Sequence, residues 1–257
     1  MPDESYIPIV DYDPEPIAVI EPVKVYRREE NFPRKAILIF YQEIIDDLRK
    51  KGKIVELHVL KSEVGHLTAY EMIVNNESIC IFNPGLGGPS AGGFTEELIA
   101  KGVEKIIACG SCGVLDKSIP RGKVIVLDSA VRDEGFSYHY LPPSTEVTCS
   151  PEIVEIIETV LTEEKADFMT GKTWTTDAFF RETEKRVVKM KGLGCIVVEM
   201  EAAALMALSE FRKIKFGQIL STGDDVSGKE WDSRNFGKVY THKELLFSLA
   251  LKCIQKI

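Results

Sequence analysis

Apolar, strand-like segments alternate with helix-like segments along most of this 257-residue chain. We predict strands at 35–41, 54–60, 70–74, 78–83, 105–109, 123–131, 167–174, 195–199 and 215–221, and helices at 42–51, 90–101, 151–161, 201–212 and 241–255. Strands this apolar are suited to burial on both faces, which requires helices on both sides of the sheet. The alternation therefore predicts an α/β fold in which helices sandwich a sheet.

The composition is that of a globular protein and narrows the choice of partners. Apolar residues make up 44% of the sequence, which is ample for a buried core. Forty acidic residues against 32 basic ones give a formal charge of −8, so the chain lacks the cationic surface that nucleic acid or an anionic membrane would attract. We therefore expect neither nucleic acid nor a membrane as a partner.

Three features of the sequence predict a cytoplasmic location. The first residues, MPDESYIPIVDYDPEP, lack the basic and apolar regions of a secretory signal. No apolar run is as long as a membrane span. The six cysteines are best interpreted as reduced thiols, because nothing in the sequence indicates export.

Residues 1–34 lack the periodicity of the rest of the chain. Prolines are spaced through this segment and favour an extended backbone. We therefore predict an N-terminal arm over residues 1–34, suited to wrapping a neighbouring subunit, and a single domain over residues 35–257.

A glycine-rich turn joins the predicted strand at 78–83 to the helix that follows. In FNPGLGGPSAGG, Gly85 and Gly87 allow backbone angles that other residues avoid, and Pro89 suits the first turn of a helix. The free amides at that helix start favour an anion or another acceptor above the strand ends. A dinucleotide fingerprint would need a glycine at Ser90, which leaves a tight structural turn or a binding turn of another kind.

Six segments occur in a characteristic order: GLGGPSAGGFTEELIAKG, ACGSCGVL, AVRDEGFSYHYLPP, TTDAFF, VVEMEAAAL and STGDD. From about Ala36 to the C-terminus this order resembles the nucleoside phosphorylase and nucleosidase superfamily. The glycine-proline-serine turn and the EGFSYHY loop are most similar to its uridine phosphorylase branch. The resemblance implies a three-layer α/β/α sandwich around a mixed central sheet, a homo-oligomer (a dimer or a trimer of dimers), and cleavage of the bond between a ribose and a nucleobase. We expect no cofactor and no metal.

The VEME segment supplies the predicted ribose site. Two carboxylates beside an apolar strand are costly to bury unless they are hydrogen-bonded, and a helix start that favours acids is the alternative explanation. The resemblance implies that Glu201 accepts hydrogen bonds from the ribose hydroxyls and stabilises positive charge on the sugar. It also implies that Met200 forms an apolar floor beneath the sugar and that Glu199 completes this ribose-binding segment and steadies it.

The resemblance places the base against Phe179, with Gly113 beside it, although a core phenylalanine is the alternative interpretation. It places Asp224 where purine-cleaving relatives keep a proton donor for the base. Uridine-specific relatives read the uracil edge with a glutamine and an arginine, where this chain has Thr183 and Lys185. Asp224 therefore favours a purine base, whereas the glycine-proline-serine turn and the EGFSYHY loop resemble the pyrimidine-type relatives. The sequence leaves the base open.

The chain departs most from the phosphorylases at the expected phosphate pocket. The resemblance leaves Ser111 and the Gly87 turn as anchors there, whereas Ala108 and the stretch 65–66 stand where relatives have arginines. Glu43 stands at or near the position of the glutamate that activates water in hydrolytic relatives, with an ordinary acid at an exposed helix start as the alternative. We therefore predict cleavage by water, with phosphate as the alternative nucleophile and a non-catalytic nucleoside-binding protein as a further alternative.

A pair of cysteines and one histidine also have more than one interpretation. Cys109 and Cys112 form a CxxC pair, for which we favour a packed turn over a redox or zinc site because neither a second pair nor a nearby pair of histidines accompanies it. His139, in the EGFSYHY loop, either approaches the sugar or a subunit contact, or lies at the surface.

Overall fold

The computed structural model describes residues 6–63, 65–235 and 240–257. The strands are β1 (Lys35–Ile39), β2 (Val55–Ser62), β3 (Gly65–Val74), β4 (Glu77–Phe82), β5 (Lys105–Val114), β6 (Val124–Asp133), β7 (Glu146–Thr148), β8 (Phe168–Thr176), β9 (Cys195–Glu199) and β10 (Lys215–Asp225). The α-helices are α1 (Pro22–Val25), α2 (Gln42–Lys50), α3 (Gly88–Lys101), α4 (Pro151–Glu163), α5 (Glu184–Gly192), α6 (Ala202–Arg212) and α7 (Tyr240–Lys256). Three 3-10 turns are Pro8–Val10, Phe136–His139 and Phe179–Arg181.

The strands form one mixed sheet in the order β10-β6-β8-β9-β5-β1-β4-β3-β2, with β7 paired to β6. Strand β10 also pairs with β5, so β5, β9, β8, β6 and β10 close into a ring from which β1, β4, β3 and β2 extend. Helices pack around this sheet, as the predicted α/β/α architecture requires. The closure of one end into a ring is a further property of the sheet that the alternating pattern did not reveal.

The sequence patterns missed helix α5 and the first half of strand β3. Helix α5 buries only Val187 and Met190, so its apolar stripe is too thin to stand out among five charged residues. Strand β3 is twice as long as the predicted strand at 70–74, because its first half, from Gly65, pairs antiparallel with β2 at a partly exposed edge. Short apolar runs at an exposed edge carry a weak periodic signal.

Strand β5 positions the site. Its first half, Lys105–Cys109, pairs with β1, whereas Gly113 and Val114 pair with β9. Strand β10 runs parallel along its other side, with Ser221 opposite Ser111 and Thr222 opposite Cys112. Residues 110–112 therefore lie where β5 exchanges one neighbouring strand for another, close to the ends of β9 and β10.

Residues 6–34 lie on the surface of the domain. Glu21 accepts a hydrogen bond from Arg212 of α6 at 3.1 Å, and Glu29 pairs with Lys101 of α3. The side chains of Ile17, Val19 and Ile20 are exposed in the single chain. The predicted wrapping of a neighbouring subunit stays a prediction, as does the homo-oligomer.

Within the described residues, no helix combines the length and the apolar character needed to cross a membrane.

Candidate active site

The glycine-rich turn after β4 holds a carboxylate of the protein itself. Gly85 and Gly87 have φ angles of 83° and 82°, which L side chains rarely adopt. Asn83 Oδ1 accepts the N–H of Gly85 at 3.1 Å, and the N–H of Gly87 donates to Glu201 Oε1 at 2.7 Å. The turn thus brings the start of α3 against the start of α6, and its amide serves Glu201.

Glu199 and Glu201 stand on either side of Met200 and have different surroundings. Glu199 accepts four hydrogen bonds: from the hydroxyls of Thr175 at 2.6 Å and Thr173 at 3.4 Å, and from the N–H groups of Glu201 at 2.8 Å and Ala202 at 2.7 Å. It therefore fixes the end of β9 to the start of α6. Burial raises its pKa.

Glu201 is also buried, with only 6% of its surface exposed. Burial, and then the charge of Glu199, raises the pKa of Glu201 to about 8. Among the described residues, one group, the N–H of Gly87, donates to its carboxylate with hydrogen-bond geometry, in contrast to the four donors on Glu199. Glu201 is therefore the carboxylate with capacity to accept hydrogen bonds from a ligand, while Met200 beside it is half-buried.

Asp224 and Asp225, at the end of β10, have different environments. Asp225 is buried, pairs with Arg234 at 2.6 Å and accepts the N–H of Ser227 at 2.8 Å. Asp224 is half-buried and accepts only the indole N–H of Trp231, at 2.7 Å, among the contacts of the described residues. Asp225 is thus held by structural contacts, whereas Asp224 is available to contact a ligand.

Gly113 lies directly beside Asp224. A Cβ at this position would stand 3.4 Å from Asp224 Oδ1 and 3.1 Å from a methyl group of Val198. Burial, followed by the charges of Glu199 and Asp224, raises the pKa of the neighbouring Cys112 thiol well above its usual value. The charges of Glu199 and Asp224 therefore act on the same stretch of β5, and Asp224 lies beside Gly113. The ligand-binding roles of Glu199, Asp224 and Gly113 stay predictions.

The segment 177–183 carries the candidate base-stacking residue. Phe179 is 47% exposed and Phe180 is 87% exposed, with ring centroids 4.2 Å apart. Phe179 is thus not a core residue, which removes the structural alternative raised by its apolar neighbours; its contact with a base stays a prediction. Thr183 and Lys185 are exposed.

Glu182 is a residue that the sequence analysis missed. It is half-buried, and burial together with the charge of Asp224 raises its pKa to about 7. Its carboxylate therefore lies within electrostatic reach of Asp224. The signal available in the sequence was an acid two positions after an aromatic pair and one position before the expected specificity residue, Thr183.

The predicted phosphate or water pocket is lined by aromatic side chains after β1. The Tyr41 hydroxyl lies 3.0 Å from Ser111 Oγ, and Tyr41 is buried. A Cβ on Gly110 would stand 3.1 Å from the Phe40 ring, so Phe40 occupies the space beside Gly110. Ser111 thus already has a hydrogen-bond partner within the chain.

Glu43 lies at the edge of this pocket and forms an ion pair with Lys243 of α7. The Lys243 ammonium also lies 5.1 Å from the centroid of the Tyr41 ring, within the range of a cation–π contact. Only 14% of the Lys243 side chain is exposed, compared with 47% of Glu43. Sequence analysis did not identify Lys243, because two hundred residues separate it from its partner.

Other candidate groups have structural surroundings. Arg132 donates to Ser137 Oγ at 2.8 Å and to the carbonyl of Pro142 at 2.7 Å, so its guanidinium is used within the loop after β6. His139 is exposed. Cys109 and Cys112 are free and buried, and no cluster of metal-ligating side chains occurs in the parts of the chain that the structure describes.

The sequence matches a family model and a curated protein. A family model described as "Phosphorylase superfamily" matches residues 34–254. A guanosine phosphorylase from Halorubrum lacusprofundi is 32% identical over 155 residues, which covers 59% of this chain and 64% of that protein's length. This chain therefore matches somewhat less than two thirds of that relative.

Two solved structures share the architecture. The purine nucleoside phosphorylase from Toxoplasma gondii, in complex with immucillin-H, has a TM-score of 0.75 at 23% identity, over 88% of this chain and 92% of that chain. The AMP nucleosidase from Bacteroides thetaiotaomicron has a TM-score of 0.69 at 20% identity, over 88% of both chains. These matches confirm the predicted fold class. The expected closeness to the uridine phosphorylase branch stays a prediction, since the names of these relatives refer to guanosine, purine nucleosides and AMP.

Proposed function

Because the chain belongs to the phosphorylase superfamily, we propose that it cleaves the N-glycosidic bond of a purine nucleoside, with water as the nucleophile. The observation that carries the proposal is a pair of available carboxylates at the ends of two strands that both pair with β5: Glu201 follows β9, and Asp224 lies at the end of β10. Among the described residues, Glu201 accepts one backbone N–H and Asp224 one indole N–H, whereas their neighbours Glu199 and Asp225 each have several partners.

Glu201 is the proposed ribose-binding residue. A buried carboxylate with spare acceptor capacity is suited to the two vicinal hydroxyls of a ribose. Its interaction strengthens as the sugar gains positive charge in the transition state, which is the condition for catalysis rather than simple binding. With a pKa of about 8, Glu201 favours its protonated form at neutral pH in the free protein, and hydroxyl donors and a cationic sugar shift it towards the ionised form.

Asp224 is the proposed proton donor to the base. Gly113 keeps any side chain away from Asp224 Oδ1, and a proton delivered from this carboxyl group to a purine nitrogen lets the base leave as a neutral molecule. Phe179, with nearly half of its surface exposed, is available to stack on that base. The purine-type names of the relatives support the same choice of base.

Water is the proposed nucleophile because the pocket around Ser111 is poor in free positive charge. Phe40 and Tyr41 occupy the space after β1, and the Tyr41 hydroxyl meets Ser111. A phosphate dianion in this pocket would also lie near the carboxylate of Glu43. Glu43, if it reaches the water, can accept a proton as the water attacks the sugar.

A phosphate-dependent reaction is the second candidate function, and Lys243 is the observation that favours it. Its ammonium is largely shielded from solvent and lies against the Tyr41 ring that contacts Ser111. A lysine that exchanged its pairing with Glu43 for a phosphate would replace one of the missing arginines.

The decisive experiment is a panel of purine and pyrimidine nucleosides, with AMP, incubated with and without phosphate. Free base and sugar products are separated and identified by mass spectrometry. Free ribose formed in the absence of phosphate supports the proposal. Ribose 1-phosphate formed only with phosphate supports the second candidate, and tight binding without any product identifies a nucleoside-binding protein.

Substitution of Lys243 separates the two nucleophiles. If Lys243 holds phosphate, Lys243→Met lowers phosphate-dependent turnover by roughly tenfold or more. If Glu43 activates water, the same variant removes no group that the hydrolytic reaction uses, so turnover is kept, whereas Glu43→Gln lowers it. Lys252→Met is the matched control, since Lys252 lies on the same helix and pairs with Glu164 instead.

A further inference from the structure

We propose that Trp231 is a positioning residue for proton donation by Asp224. The inference rests on the proposed function, in which Asp224 protonates the base. Trp231 Nε1 donates to Asp224 Oδ2 at 2.7 Å, which is the length of a strong hydrogen bond to a carboxylate.

The loop that carries Trp231 is fixed at several points. Arg234 donates to Asp225 Oδ2 at 2.6 Å and to the carbonyl of Ile119 at 2.8 Å. Asp225 and Asp232 exchange backbone hydrogen bonds of 2.8 and 3.1 Å across the loop. The indole is therefore presented by an anchored segment rather than by a free loop tip.

Trp231 is not explained by core packing. It is 66% exposed, whereas the other tryptophan, Trp174, is completely buried. A large aromatic side chain gains little stability at this exposure, so its defined contact with Asp224 is its distinguishing property.

The two oxygens of Asp224 have different surroundings, and this decides where the proton lies. An indole N–H is a donor only, so it occupies Oδ2 and cannot share a proton with it. Oδ1 is the oxygen that faces the space left by Gly113, 3.4 Å from the position of a Cβ there. Trp231 thus directs the carboxyl proton to Oδ1, the oxygen on the side proposed for the base.

The first test compares substrates that differ in their need for an acid. Trp231→Phe keeps an aromatic ring and removes the N–H, and we expect a loss of roughly tenfold in kcat/KM on inosine or guanosine. On 4-nitrophenyl riboside, whose leaving group needs no proton, the loss should be under about twofold. Phe180→Leu, which removes an exposed aromatic side chain outside this contact, is the matched control and should not separate the two substrates.

The second test uses the double variant. When Asp224 is already asparagine, Trp231→Phe should cause no additional loss on purine nucleosides, because Trp231 acts through the carboxyl group. Equal losses on both substrates, or a full additional loss in the double variant, would overturn the proposal.

The third test needs no turnover. The wild-type emission spectrum minus that of Trp231→Phe isolates Trp231, and Asp224→Asn should shift this difference spectrum because it replaces the carboxyl partner of the indole by an amide. An unchanged spectrum would contradict the contact. If the wild type cleaves no nucleoside but the spectral shift is seen, the contact is verified, while the proposed function and the role of Trp231 in proton donation both fail. If the wild type is active and Trp231→Phe behaves like wild type, only the inference on Trp231 fails.

Discussion

Replacing Glu201 by glutamine should stabilise the folded protein above neutral pH and change its stability little in mild acid. Glu201 is 6% exposed, and its pKa is raised from 4.5 to about 8 by burial and then by the charge of Glu199. Glutamine keeps a carbonyl oxygen for the N–H of Gly87 and removes the charge.

The magnitude follows from proton linkage. Because the pKa is raised on folding, the folded protein binds more protons than the unfolded chain between the two pKa values, so the free energy of unfolding falls as the pH rises through that window. A rise from 4.5 to about 8 corresponds to roughly 5 kcal/mol, of which about 4 kcal/mol is lost between about pH 5 and about pH 9. The glutamine variant avoids this loss. In a chain of this length, 1 kcal/mol moves Tm by about 2–4 °C, so the advantage of the variant should grow by roughly 10 °C over that range.

The assay is thermal unfolding followed by circular dichroism at several pH values, with wild type and Glu201→Gln measured side by side. Taking the difference between the two proteins cancels the titration of groups that both contain, such as Glu182. Glu164→Gln, at a surface ion pair, is the control and should show no comparable growth with pH. A Tm difference between Glu201→Gln and wild type that is the same at both ends of the range would refute the reasoning.

Four further predictions concern the same site. Asp224→Asn should slow purine nucleosides by roughly 10²-fold or more and hardly affect 4-nitrophenyl riboside, as steady-state kinetics will show; equal losses would indicate a structural role. Phe179→Ala should raise KM about tenfold by removing a stacking contact, whereas Phe180→Ala should leave it within about twofold; similar KM values for the two variants would remove Phe179 from the base site. Glu199→Gln should lower Tm, since an amide cannot satisfy the same four donors, and an unchanged Tm would contradict its structural role. Nucleoside binding near pH 7 should release protons, because ribose hydroxyls favour ionised Glu201, and calorimetry in buffers of different ionisation enthalpy measures this release; a binding enthalpy independent of buffer would count against it.

Most of the fold could be predicted because its strands are buried and its longer helices are amphipathic. Residues 35–39 and 105–114, for example, are almost entirely buried, which is what their continuous apolar sequence indicates. Ring closure could not be predicted, because it depends on β5 pairing with β10 more than a hundred residues away. No local pattern encodes that pairing.

Asp224 and Asp225 show what the resemblance could and could not supply. The resemblance selected Asp224 from the pair, but it gave no contact for either residue. The register of β10 with β5 is irregular between Thr222 and Asp225, so the alternation of a regular strand does not fix the directions of the two side chains. The structure shows that Asp225 faces Arg234 and that Asp224 lies beside Gly113.

Lys243 and Trp231 could not be assigned from the sequence for a different reason. Each acts through contacts with residues on other elements, Glu43 and Tyr41 for Lys243 and Asp224 for Trp231. An isolated lysine on a helix or an isolated tryptophan in a loop matches many structural roles. Their roles depend on long-range geometry, and the resemblance assigned a role to neither residue.

Hydrogen-bond surroundings, rather than residue type, divide the four acidic residues of this site into two kinds. Glu199 receives donors from both a neighbouring strand and the following helix, and Asp225 receives a guanidinium and a backbone amide, so substitution of either one disturbs the fold. Glu201 and Asp224 each receive a single donor from a turn or loop, which orients the carboxyl group and leaves acceptor or donor capacity for a ligand. Each pair lies within one or two residues along the chain, so one member fixes the backbone that aims the other. The precision of the proposed catalytic acids therefore depends on their engaged neighbours.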